Sequence, residues 1–193
     1  MKNKPVATIS ILILTVLITW IAPIFDSSLY GVNGHPTEWL SFYPAHPLNH
    51  FGAGLFASPF LHLNGQHLFT NLILFFPLAM VIERKESALF LLKFFILFHF
   101  QILLMLICLN EVIPLEGKYF LGSSHIILAF YSFWGLSQKK WFLLGFSLLA
   151  LMIGYWQGQS HLTTWAHAIG IFVGIETLFL SSFWNKIRPK RSH

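Results

Sequence analysis

Six apolar stretches run along the chain, at roughly 6–25, 60–82, 88–109, 119–136, 141–156 and 162–183. A helix that spans a bilayer needs about 20 such residues. The fourth and fifth stretches are the shortest. The pattern predicts an all-α membrane protein: one domain over residues 1–193, six transmembrane helices, and a long loop at 26–59 between the first two. The first stretch follows a basic start, MKNK. Its apolar run is too long for the core of a signal peptide, and no small-x-small cleavage site follows before Asp26, so it reads as a helix.

Composition agrees with this pattern and charge orients it. Of 193 residues 55% are hydrophobic and only 10% are charged, which excludes an ordinary soluble domain. Ten of the twelve basic residues fall on one side: Lys2 and Lys4, Arg84 and Lys85, Lys139 and Lys140, then Lys186, Arg188, Lys190 and Arg191. The intervening loops are nearly bare of charge. By the positive-inside rule both termini are cytoplasmic. The net charge of +5 is thus spent on orientation and lipid headgroups, and nucleic acid is not an expected partner. The one cysteine, Cys108, lies inside an apolar run and offers no disulfide framework.

In that topology the second, fourth and sixth helices all run inward from the outer face, and each carries polar residues near its outer end. The second has His62, His67 and Asn71, the fourth begins Gly122-Ser123-Ser124-His125, and the sixth has His167 about one turn in. Polar groups at membrane depth are costly, and three sets at one depth point to a shared site. His67 and Asn71 are four apart and share a helix face. His167, Gly170 and Gly174 share another, whose small residues let a neighbouring helix approach closely. Ser124, Ala129, Ser132 and Gly135 give the fourth helix the small residues to be that neighbour.

The chemistry that suits these residues is acyl transfer. A serine hydroxyl becomes a good nucleophile when a base takes its proton, and histidine is such a base. The tetrahedral intermediate needs donors aimed at its oxyanion, which the amide of Ser124 and the side chains of His67 and Asn71 could supply. No acidic residue lies near, so the expectation is a Ser124–His167 dyad without a third member. Taken singly, each residue has a plainer reading. Ser123 and Ser124 could bond a carbonyl of their own helix, and His67, Asn71 and His167 could be interhelical hydrogen bonds. A metal or haem site of His62, His67, His125 and His167 would lack cysteines, carboxylates and an i,i+4 histidine pair. His99, Gln101 and Glu176 match no catalytic motif and read as facing the bundle or snorkelling. The glycines of GVNG, Gly31 to Gly34, and of Gly52-Ala53-Gly54 read as turns.

These residues resemble the rhomboid intramembrane serine proteases. His62-x4-His67-x3-Asn71, Gly122-Ser123-Ser124 and Ala166-His167-x2-Gly170-x3-Gly174 resemble that family's motifs on its second, fourth and sixth helices. Glu83 sits where the family often keeps a structural acidic residue. The resemblance implies a six-helix bundle around a water-accessible cavity open to the outside. Ser124 would be the nucleophile, His167 the base, and His67 and Asn71 oxyanion donors. His62 would support them by bonding the first loop. The implied substrates are single-pass membrane proteins, the implied location a bacterial inner membrane, and no cofactor or metal is needed. Two departures stand out. His125 occupies the place of the family's glycine after the nucleophile, and Trp39 is followed by leucine rather than arginine. The first loop would then be anchored by Trp39, Phe42, Tyr43 and Phe51. His125 also keeps a second expectation open, a rhomboid-like pseudoprotease that engages helices without cutting them.

Overall fold

Helices in this chain begin where a short polar side chain takes over the first unpaired amides. In the computed structural model, which describes residues 5–25, 40–62, 64–115, 120–157 and 159–187, this is visible at three helix starts. Asn64 accepts from the His67 amide at 2.8 Å, Ser87 from Phe90 at 3.0 Å, and Ser160 from Thr163 at 3.2 Å. The helices are α1 (Val6–Phe25), the short α2 (Ala53–Ala57), α3 (Gly65–Lys85), α4 (Ala88–Val112), α5 (Ser124–Ser137), α6 (Trp141–Trp156) and α7 (His161–Ile187). Among the described residues the one β feature is an isolated antiparallel bridge between Phe42 and Phe120. The protein is therefore all-helical over the described residues. Lys2, Lys4, Arg188, Lys190, Arg191, Lys118, Trp39 and the GVNG turn lie outside them.

Among the described residues three helices are long and apolar enough to cross a membrane: α3, α4 and α7 over His161–Ser181. Apolar helices at Val6–Trp20 and Trp141–Trp156 are shorter. At 1.5 Å per residue the 14-residue α5 spans only about 21 Å, less than the ~30 Å of a hydrocarbon core. It compensates by being central: ten of its residues, from His125 to Gly135, are buried. Large apolar side chains instead face outward on the surrounding helices, among them Phe69, Leu104, Phe142, Met152 and Phe179.

Two predicted helix starts move inward. The second helix begins at Gly65 rather than near 60, because Ser58–Phe60 forms a 3-10 turn and the chain extends at Leu61 before the Asn64 cap. The fourth begins at Ser124 rather than 119. Phe120 is held in its bridge, and Gly122 has φ of +100°, a left-handed conformation that no helix continues.

The site is positioned by three close approaches. Buried Glu83, near the end of α3, accepts from the amides of Ala7 and Thr8 at 2.8 and 2.7 Å and from the Thr8 hydroxyl at 2.6 Å. It thereby caps the start of α1 and satisfies its first amides. A Cβ on Gly170 would collide with the carbonyl of His125, and one on Gly174 with that of Ala129, so α7 and α5 meet backbone to backbone. Gly135 does not serve this contact as predicted. It faces Lys140, Leu143 and Leu144, where the chain turns from α5 into α6. A third approach seats the first loop. Gly54 lies against the carbonyl of Ser41, and Phe42 exchanges two backbone hydrogen bonds with Phe120. Phe42 is consequently buried and is no lipid anchor, whereas Leu48, Phe51 and Phe56 are exposed.

Candidate active site

Ser124 is the first residue of α5, so its amide is one of the helix's unpaired first-turn donors. Its Oγ lies 2.7 Å from Nε2 of His167, two turns into α7. The hydroxyl donates, which puts the neutral imidazole's own proton on Nδ1. That Nδ1 is buried and has no hydrogen-bond partner among the described residues. The pair is held at this distance by the Gly170 contact, one turn beyond His167, on the carbonyl of the residue that follows Ser124.

A second polar group stands across from the pair. Asn71 Nδ2 lies 2.9 Å from His62 Nε2 and 3.3 Å from His67 Nε2. An amide nitrogen only donates, so both imidazoles accept there and carry their protons on Nδ1. His62 Nδ1 faces the Thr19 hydroxyl of α1 at 3.4 Å, and that hydroxyl donates to the carbonyl of Phe60 at 2.7 Å. His62 thus supports Asn71 as well as α1 and the first loop, a wider role than the sequence suggested. Both amide protons of Asn71 are engaged. The longer bond, to His67, is the one it can surrender to an oxyanion.

Gly122 makes room for this arrangement. A Cβ there would come within 2.9 Å of the His67 ring, at a φ only glycine adopts cheaply. Its amide donates to the carbonyl of Ser58 at 2.8 Å, fixing the segment before the serine to the first loop.

Ser124, His167, His67 and Asn71 all line one cavity of about 640 Å³. Leu74, Leu121, Ile127 and Leu128 give it an apolar wall, while Gln159, Ser160 and Thr163 form a polar rim beside the start of α7. The structure therefore brings together the four residues assigned to chemistry and places Gly122, Gly170 and Gly174 at their backbone contacts. His125 does not enter the cavity: its ring is fully buried against Phe120 and His99. His99 was legible as a bundle-facing residue but not as its partner. Among the described residues no cluster of three metal-ligating side chains forms, including the four histidines weighed as a metal site. Neither a scan against protein-family models nor a comparison with curated proteins finds a match for this chain.

Proposed function

We propose that this protein is a rhomboid-type intramembrane serine protease with six membrane-spanning helices and both termini in the cytoplasm, in a bacterial inner membrane. The observation that carries the reading is the 2.7 Å hydrogen bond from Ser124 to His167 at the wall of a mainly apolar cavity with a polar rim. Support also comes from the three motifs in chain order and from the donors opposite the pair.

In this reading Ser124 Oγ attacks the scissile carbonyl carbon and passes its proton to His167 Nε2. The carbonyl oxygen becomes the oxyanion. It accepts from the Ser124 amide and from Asn71, which releases His67 as it turns. His67, expected as a second donor, instead accepts from Asn71 through Nε2 and, on the same face one turn earlier, holds it in place until then. When the tetrahedral intermediate collapses, the C–N bond breaks and His167 returns its proton to the leaving amine. A water entering from the polar rim then hydrolyses the acyl-enzyme by the same steps. Asn71 bonds His67 of its own helix and His62 of the segment before it, which favours its use as an oxyanion donor over adhesion to a neighbouring helix. The pseudoprotease alternative is disfavoured by an intact Ser–His bond and by a His125 ring that leaves the cavity open.

The substrates are single-pass membrane proteins whose helix is weak near the outer face. The test is reconstitution in liposomes with a single-pass reporter carrying small and helix-breaking residues at that end. Cleavage that persists in EDTA and vanishes in Ser124→Ala and His167→Ala is expected. Binding of the reporter without any product would favour the pseudoprotease.

A further inference from the structure

Two buried histidines lie behind Ser124, away from the cavity, and the chemistry above uses neither. His99 of α4 is 3% exposed and His125 of α5 is fully buried. His99 Nε2 lies 2.7 Å from the carbonyl oxygen of Leu55 in α2. A carbonyl only accepts, so this nitrogen carries the proton and Nδ1 of neutral His99 is an acceptor. That Nδ1 faces His125 Nε2 at 3.4 Å, so His125 donates from Nε2. A backbone carbonyl in the first loop thus selects the tautomer of both rings, through α4, up to the residue beside the serine.

The backbone contacts of the first loop stop short of that residue. They reach Phe120 and Gly122, and Ser123, the N-cap of α5, makes no side-chain capping bond. Residue 125 is then held from two sides. Its carbonyl abuts Gly170, three residues after His167, and its ring is tied to His99 and packed 4.7 Å from the Phe120 ring. Residue 125 thus sits between Ser124, its chain neighbour, and Gly170, three residues after His167.

We propose that His99 and His125 are positioning residues which, through Leu55, lock the first turn of α5 to the first loop and aim Ser124 Oγ at His167. The inference rests on the serine-protease reading. It also assigns a use to the imidazole that stands where the family motif has glycine.

The experiment follows acylation of the detergent-solubilised full chain by a fluorophosphonate. The concentration dependence separates initial affinity from the acylation rate constant. His99→Leu and His125→Leu should each lower the rate constant about tenfold, as expected for one lost or orphaned hydrogen bond, and leave the affinity unchanged. The double variant should fall no further than either single one, since the two rings act as a unit. His99→Gln, which offers an N–H to Leu55 and an oxygen to His125, should recover most of the rate. A wild type that never acylates overturns the protease reading itself. A wild type acylated at Ser124, with both leucine variants equally fast or altered only in affinity, overturns the positioning role alone. Should the leucine variants not fold, nitrogen NMR of histidine-labelled wild type decides. Protons on Nε2 of both His99 and His125 support the pair, and a neutral His99 protonated on Nδ1 overturns it.

Discussion

Two polar clusters reach the same cavity, and they are built differently. Among the described residues the Ser124–His167 pair has a single hydrogen bond, and the second nitrogen of the histidine is unpartnered. The other cluster is a chain of bonds from the Phe60 carbonyl through Thr19, His62 and Asn71 to His67. The pair is held by helix packing, with glycine surfaces fixing where α7 meets α5. The chain is held by its own hydrogen bonds. A pair placed by packing keeps its proton free to move, while a bonded chain can lend one proton and take it back. Groups that react and groups that receive developing charge thus need different kinds of support.

Breaking the pair should have the largest effect. In the proposed mechanism Ser124→Ala and His167→Ala each lower the rate of reporter cleavage by ~10⁴-fold or more, because the two act as a unit. Stability should change by less than about 1.5 kcal/mol, the worth of one hydrogen bond, as read by thermal unfolding in detergent. Removing the lending group comes next. Asn71→Ala should cost about 10²–10³ in the rate constant with little change in KM.

Gly122→Ala sharpens the comparison from the side, since it pushes on the chain without touching the pair's bond. A Cβ there meets the His67 ring and forces an alanine into a left-handed backbone, at a cost of about 1–2 kcal/mol. A rate loss of about tenfold, with a lowered unfolding temperature, is expected. The smallest effect on rate belongs to His62→Ala, which leaves one Asn71 proton short of a partner. It should lower stability by about 1–3 kcal/mol and slow cleavage only several-fold. A His62→Ala rate loss as large as that of Asn71→Ala would merge the two roles.

Much of this was legible in the sequence because periodicity and residue type act locally. The apolar runs mark the helices, and the i,i+4 spacing of His67 and Asn71 puts both on one face. Gly170 and Gly174 announce a close helix contact through their missing side chains. Less legible was anything decided by a neighbour distant in the chain. Gly135 has the same small profile as Ala129, yet packs against the α5–α6 turn, because the direction a small residue faces is set by the whole bundle. Phe42 reads as an aromatic anchor but is buried by its pairing with Phe120. The shifted starts of two predicted helices have the same origin: apolar residues at 60–61 and 120–121 serve a buried loop segment, which hydropathy does not distinguish from helix. His125 reads as an obstacle beside the nucleophile, and only the approach of His99 shows where its ring goes.

The most direct test of the central claim is to locate a fluorophosphonate adduct by peptide mass mapping in the wild-type protein and in His167→Ala. An adduct on Ser124 that disappears when His167 is lost is the predicted result. An adduct on Ser123 instead, or one on Ser124 that survives undiminished in His167→Ala, would contradict the account.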